Sequence, residues 1–387
     1  HIVPPMAYDA GYTVPLAAAI RAKVSKPIFV AGRINQPHIA NEVIVSGQAD
    51  MCGMTRALIS DPFMPLKAQS GNTDDIRACV ACNQACIGHM LNAFPISCIQ
   101  RPETGRELEY GVIALSKTPK RVIVAGGGPA GMKAAIVAAN RGHHVTLFEA
   151  SQSLGGQVRL AQSLPGRSEF GGVITNLQKE LEKSSVSVKL NTKVTSNLIE
   201  GIGVDAVVIA TGAKPSKQEL ANTDEAHVAN AWQVLEGHLN LGARVVIADW
   251  RCDWVGLGLA ERLARDGCHV RLAVNGMVAG QSIPQYARDK WLGELHKLNV
   301  EIITHVRLYG ADSDDAYFQH VLSGEPVILK DVDTLVTALG QVPNTSLENE
   351  LNRLYDFPGE LHMIGDCLSA RTVEEAIFEG LKVSANL

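Results

Sequence analysis

The sequence predicts an α/β protein of several parts built on parallel sheets: the end of a β/α repeat, a cysteine-bearing segment and two Rossmann-type domains. Three observations carry that prediction. A strand, a glycine-rich turn, a helix, a second strand and a terminal acid follow one another from Arg121 to Glu149. The same strand–helix–strand order returns over residues 240–345 with its turn residues changed. Apolar runs of strand length alternate with helical periodicity over residues 1–68.

With 387 residues, 46% of them hydrophobic, the chain is long enough for more than one domain and for sizeable cores. Its 35 glycines and 5% aromatic content suit tight strand–helix turns. The net charge of −5, with both signs interspersed, offers no basic nucleic-acid face and no charged tail. No apolar run approaches membrane-spanning length. Neither nucleic acid nor membrane is therefore expected as a partner. Eight cysteines without a secretory leader point to a reducing, cytoplasmic compartment and to metal ligation rather than disulfides. The chain opens at His1 inside a patterned segment, so further residues are expected ahead of it.

Residues 1–68 read as the last units of a truncated TIM barrel. Residues 14–23 and 37–48 have helical patterns, and residues 27–32 and 49–54 read as short strands. A complete (β/α)8 barrel needs roughly 200 residues, so only about two of its units fit here. Its seventh and eighth strands often end in a phosphate site of backbone N–H groups and a cation. Gly32-Arg33 and Gly53-Met54-Thr55-Arg56 stand where those loops fall. Each signal is weak alone, since an arginine after a strand is more often a solvated surface residue.

Residues 69–118 carry Cys79, Cys82, Cys86 and Cys98 in a C-x2-C-x3-C-x11-C spacing, then a connection without strong periodicity. Four thiolates so spaced are the ligand set of a [4Fe–4S] cluster or of a closed all-cysteine zinc site. Zinc knuckles usually set two tight pairs far apart. Here three ligands crowd one turn and a fourth returns after a short loop, which suits a cubane corner better. Cys52 is expected to pack under its strand, and Cys252, Cys268 and Cys367 to act as small apolar core residues.

From Arg121 the pattern sharpens. Residues 122–125 form a strand, Gly126-Gly127-Gly128-Pro129-Ala130-Gly131 satisfies G-x-G-x-x-G, an Ala-rich helix follows, and strand 145–148 ends at Glu149. The glycines permit a tight turn and close backbone approach to a pyrophosphate on a helix N-terminus, and the acid serves the ribose hydroxyls. Leu154-Gly155-Gly156-Gln157 adds a flat glycine surface, and the strand ending in Gly365-Asp366 adds a carboxylate for a ribityl or phosphate group. These favour a flavin-type over a nicotinamide-type nucleotide, against the blander reading of Asp366 as a helix cap. The domain is expected over residues 119–239 plus 346–387.

Residues 240–345 repeat this plan, but Asp249, Arg251 and Trp254 stand where three glycines belong. A carboxylate aimed at a pyrophosphate costs about 4 kcal/mol at ~4 Å and an effective dielectric of ~20, near a thousandfold in affinity. Arg251 offsets some of that charge, while Trp254 blocks close backbone approach. The expectation is a Rossmann shell that no longer takes NAD(P)H in the usual pose.

These pieces in this order resemble the iron–sulfur flavoenzymes of the old yellow enzyme superfamily, which include 2,4-dienoyl-CoA reductase, trimethylamine dehydrogenase, histamine dehydrogenase and N-methyl amine demethylases. The resemblance covers nearly the whole chain and is most specific at Cys79, Cys82, Cys86 and Cys98 and at Gly126 to Gly131 with Glu149. It implies an N-terminal FMN barrel, of which this chain holds the end, a [4Fe–4S] cluster, and a C-terminal pair of domains similar to glutathione reductase. By resemblance, Arg33, Gly53, Met54 and Arg56 match the FMN-phosphate loops. Gly126, Gly128, Pro129, Ala130, Gly131, Glu149, Gly156, Gln157, Gly365 and Asp366 match the site for FAD or ADP. The altered second turn resembles members that refuse hydride from NAD(P)H. The implied activity is an amine dehydrogenase or oxidative N-demethylase that passes electrons from FMN through the cluster to an electron-transferring flavoprotein. An NAD(P)H-dependent enoate reductase is the alternative reaction. A non-catalytic electron-transfer or nucleotide-binding piece is the alternative of another class, since two barrel units cannot enclose FMN. The family's substrate-binding residues lie mostly on barrel strands outside this chain, so no catalytic acid, base or nucleophile is assigned. A homodimer is the oligomer that the resemblance implies.

Overall fold

The computed structural model describes residues 2–221, 225–237, 239–353, 357 and 359–387. The chain divides into two compact units. The first comprises His1–Arg159, Glu169–Ala213 and Pro343–Leu387, and the second Leu160–Ser168 and Lys214–Val342.

The first unit is organised by a five-stranded parallel sheet in the order Glu360–Met363, Ala206–Ile209, Arg121–Ala125, His144–Phe148, Ser187–Lys189. Its central strands are buried on both faces, as the apolar runs require. Helix Pro129–Asn140 is almost wholly buried, and its many alanines and glycine let helix Val373–Asn386 approach closely. A Cβ on Gly380 would stand 2.5 Å from the Ala130 carbonyl oxygen. Thr372 and Glu375 start that last helix with a reciprocal capping box.

Ahead of this sheet, Phe29–Ala31 and Met51–Gly53 form a two-stranded parallel pair flanked by helices Val14–Arg21 and Pro37–Val45. The cysteine segment runs without regular structure to Asn83, makes one wide turn over Gln84–Gly88 and returns through Cys98. Buried polar contacts fix it. Gln100 Nε2 donates to the Ala78 carbonyl (2.8 Å), and Asn176 Nδ2 donates to Gln100 Oε1 (2.6 Å). Lys133 pairs with Glu103 (2.8 Å), and Arg77 Nε donates to Glu180 (3.0 Å).

The second unit holds a five-stranded parallel sheet in the order Glu301–Ile303, His269–Val274, Arg244–Asp249, Thr334–Ala338, Val228–Asn230. Helices Trp254–Arg265 and Gln285–Lys297 cover one face. An antiparallel sheet of Val306–Ala311, Ala316–His320 and Pro326–Leu329 packs on the other. The expected boundary at 239/240 differs from the observed division after Ala213. Strand Val228–Asn230 pairs with Thr334–Ala338, so it is an edge of the second sheet rather than an exit from the first. No helix among the described residues is long and apolar enough to cross a membrane.

Candidate nucleotide turn and cysteine recess

The first glycine turn is tight for reasons visible atom by atom. Gly126 has φ +118°, and a Cβ there would lie 2.2 Å from the Ala210 carbonyl oxygen. A Cβ on Gly131 would lie 1.9 Å from the Gly126 carbonyl oxygen, so only glycine lets the helix meet the strand. Gly128 is different: a Cβ there meets nothing within 4 Å. It is the N-cap of helix Pro129–Asn140, and among the described residues no side-chain cap accepts from that helix's first N–H groups. Pro129 occupies the first position, where a missing N–H costs nothing. An open backbone cap at a helix N-terminus is what an anionic phosphate needs.

The other predicted nucleotide residues gather around this turn. The Glu149 carboxylate accepts from the N–H of Gly127 (2.7 Å) and of Ser151 (2.7 Å), which holds it at the end of strand His144–Phe148. Gly156, with φ +51°, stands over the turn, since a Cβ on it would approach Gly128 Cα to 3.3 Å. Gln157 Nε2 donates to Asp366 Oδ2 (2.7 Å), bringing those two residues together. Gly365 has φ +67°, and its N–H donates to Glu379 (2.7 Å). Asp366 is not the cap of helix Val373–Asn386, because Thr372 holds that place.

The second turn corrects the sequence alignment. Helix Trp254–Arg265 has Asp253 as its N-cap, so Trp254, Val255 and Gly256 match Pro129, Ala130 and Gly131 by helix position. Trp254 therefore does not replace the third glycine. Gly256 does that work, and a Cβ on it would lie 2.2 Å from Asp249 Oδ2. The turn has lengthened instead, and its charges are internal. Asp253 Oδ1 accepts from the Val255 N–H (2.9 Å), and its other oxygen pairs with Arg251 Nε (3.0 Å). Arg251 also donates to Gln341 (3.0 Å). Asp249 accepts from the Cys252 N–H (2.9 Å) and is buried. Burial, then the Asp253 charge, push its carboxyl up to about 8. Two carboxyl groups thus occupy the helix start that the first turn leaves open.

Cys79, Cys82, Cys86 and Cys98 line one recess, together with Arg56, Asn83 and the apolar Ile59 and Ile99. All four thiols are free and partly exposed. Burial pushes Cys79 up to about 12, against the pull of the Arg56 guanidinium. Burial likewise raises Cys82, reinforced by Cys86, and raises Cys86 itself. Thiols so disfavoured as bare thiolates call for a cation to compensate them. Among the described residues, no three His, Cys, Asp or Glu side chains gather as the ligands of a single metal ion. Cys252 and Cys367 are buried core residues, Cys268 packs against the second core, and Cys52 packs beneath the short strand pair, as expected.

The four phosphate candidates do not converge through their side chains. Arg33 is buried, and its guanidinium donates to the carbonyls of Met6 (2.8 Å) and Tyr8 and pairs with Glu169 (2.6 Å). Arg56 Nη1 donates to the Pro4 carbonyl (3.0 Å) and to Asn83 Oδ1 (2.6 Å), on the cysteine side. Gly53 lies against Ala31, where a Cβ would stand 3.1 Å from the alanine Cβ, and Met54 caps helix Thr55–Ser60. Sequence reasoning missed Asn83. Its signal was an asparagine directly after the second cysteine, a residue type that tolerates the left-handed conformation it adopts (φ +57°).

The pyridine nucleotide-disulphide oxidoreductase family matches residues 120–355, and the NADH:flavin oxidoreductase / NADH oxidase family matches residues 1–75. Among curated relatives, N,N-dimethylglycine/sarcosine dehydrogenase of Chromohalobacter salexigens is 31% identical over 99% of this chain and 61% of its own length. NADH oxidase of Thermoanaerobacter brockii is 30% identical over 99% and 59%. Among solved structures, a 2-naphthoyl-CoA reductase superposes with a TM-score of 0.91 at 30% identity, over 100% of this chain and 58% of that one. The chain thus spans about six tenths of the length of these relatives. Tandem Rossmann sheets behind an open glycine turn define a nucleotide-binding oxidoreductase class. The chain belongs to the pyridine nucleotide-disulphide oxidoreductase family, and to the old-yellow-enzyme-like flavoenzymes that join that fold to an NADH:flavin oxidoreductase segment.

Proposed function

We propose that this chain is the C-terminal portion of an FMN- and [4Fe–4S]-dependent amine dehydrogenase or oxidative N-demethylase, with an electron-transferring flavoprotein as acceptor. The observation that carries the reading is the second turn. Asp253 and Asp249 place carboxyl groups at the helix start where a nicotinamide dinucleotide would set its pyrophosphate. That argues against NAD(P)H as the electron source and for a substrate that is itself oxidised. The likeness to a dimethylglycine/sarcosine dehydrogenase points to secondary or tertiary amines.

Cys79, Cys82, Cys86 and Cys98 would hold the cluster, which supplies single-electron transfer when bound. Their shared recess, with three of them in one turn and the fourth after a short loop, supports this over the two tight pairs of a zinc knuckle. Gly126, Gly128, Pro129, Ala130, Gly131, Glu149, Gly156, Gln157, Gly365 and Asp366 would hold FAD or ADP. Their part is to present open N–H groups, a carboxylate for ribose hydroxyls and room for backbone approach. Residues 1–68 would be the last barrel units. Phe29 and Met51, on the two strands, are 67% and 57% exposed, as on strands of a sheet that continues. Arg33 and Arg56 would need to leave their present acceptors to reach an FMN phosphate.

Anaerobic purification with iron, sulfide, zinc and flavin quantified, followed by mixing with NADH, tests the reading. About four irons and four sulfides per chain, with no bleaching by NADH, is the expected result. One zinc without iron removes the cluster. Rapid bleaching by NADH replaces the amine reading with an enoate reductase, which the NADH oxidase and 2-naphthoyl-CoA reductase likenesses favour.

A further inference from the structure

Apart from its thiols, the cysteine recess has one charged side chain in its wall, Arg56. The partners of this guanidinium among the described residues are neutral: the Asn83 amide oxygen at 2.6 Å and the Pro4 carbonyl at 3.0 Å. Arg33 makes the contrast, since Glu169 meets its charge. Asn83 is 1% exposed and lies between Cys82 and Cys86. Its Nδ2 donates to the Val3 carbonyl (2.9 Å), which leaves Oδ1 aimed at Arg56. A residue of the cysteine turn thus fixes an uncompensated cation against the cysteines.

We propose that Arg56 raises the reduction potential of the centre held by Cys79, Cys82, Cys86 and Cys98, and that Asn83 positions it to do so. This rests on the cluster reading of the recess. Taking up one electron adds one negative charge to a centre already ringed by thiolates and partly shielded from water. A nearby cation without a counter-ion stabilises that reduced form more than the oxidised one. A guanidinium serving only a strand-end phosphate would leave the potential unchanged. This assignment differs from the FMN-phosphate role that resemblance gives Arg56, and the two separate by measurement.

The test is an anaerobic redox titration followed by electron paramagnetic resonance, with dithionite as electron donor, on the full chain and its Arg56→Gln, Arg56→Lys and Asn83→Asp variants. Iron and sulfide are counted in each. At fixed poise the reduced-to-oxidised ratio is expected to fall at least tenfold in R56Q, equivalent to ~59 mV for a one-electron couple. R56K stays near wild type. N83D, which keeps the arginine but sets a carboxylate beside it, also lowers the ratio and provides the decisive reading if R56Q loses its iron. A full cluster whose midpoint does not move in R56Q or N83D overturns the inference alone. A wild-type chain without iron and sulfide overturns the cluster reading and the inference with it.

Discussion

In the first unit, helix Pro129–Asn140 starts at Gly128 with no side-chain cap, among the described residues, on its leading N–H groups. In the second unit, helix Trp254–Arg265 starts at Asp253, whose carboxylate already holds the Val255 N–H. Both helices keep a glycine at the third position, Gly131 and Gly256, and both sheets keep fully buried central strands. What the two share is the packing of helix on strand, and what separates them is who supplies the anion at the helix start. The residues that pack helix on strand are therefore different from those that set the charge at the helix start.

The sharpest way to break this comparison is to give the first turn the second turn's cap. Gly128→Asp has room for its side chain, so the fold should survive while ADP or FAD binds up to a thousandfold more weakly. That figure follows from about 4 kcal/mol at ~4 Å and a dielectric of ~20. Calorimetric titration of the nucleotide-free chain would measure it, and an affinity within threefold of wild type would refute the role given to the open cap. Next come the shared glycines. In Gly131→Ala the new methyl meets backbone at 1.9 Å, whereas in Gly256→Ala it meets the Asp249 side chain, 2.2 Å from Oδ2 and 2.8 Å from Cβ. Overpacking costs ~1–3 kcal/mol, and the first substitution should sit at or above the top of that range and the second below it. Hydrogen exchange read separately for each unit compares them, and equal losses would erase the distinction.

One pH effect should belong to the second unit. The Asp249 carboxyl is raised by burial, then by Asp253, from 3.8 to about 8 in the folded chain. Between those values the folded state holds a proton that the unfolded state has released, so stability falls as pH rises from about 4 to about 8 and is level above. Asp249→Asn should flatten that slope, giving its largest relative gain above pH 8, with the first unit unaffected. A slope that persists in D249N would assign the effect to another group. The smallest effect concerns the caps themselves. Asp253→Ala should cost ~1 kcal/mol through loss of the N-cap, and Gly128→Ala, which loses no side-chain hydrogen bond, a few tenths less. Denaturant titration of both variants would show whether that inequality holds.

The sequence made the elements legible where periodicity and burial agree. The strands predicted at residues 122–125 and 145–148 are observed as Arg121–Ala125 and His144–Phe148, and the whole first fingerprint folds as its spacing requires. The length of the second turn was not legible. Asp249, Arg251 and Trp254 in place of glycines read as a one-for-one replacement, and only the helix start at Asp253 shows that the third glycine had shifted to Gly256. The direction of Arg56 was hidden for a different reason. A strand-end arginine is long, and its acceptors Pro4 and Asn83 lie far from it along the chain. The cysteines' shared recess, in contrast, could be read from spacing alone.

Part of what fixes the cysteine segment comes after it in the chain. Lys133, Asn176 and Glu180 supply the contacts to Glu103, Gln100 and Arg77, and each lies on a helix C-terminal to Cys98. During synthesis at ~5–20 residues per second, the thiols therefore wait several seconds before their scaffold is complete. Metal delivered in that interval would meet four cysteines on an unformed loop, and oxidant would meet the same four unprotected. Loading of a cluster there would thus be timed in part by those helices, and a pause in translation just after Cys98 should lower the yield of the filled site while leaving the amount of protein unchanged.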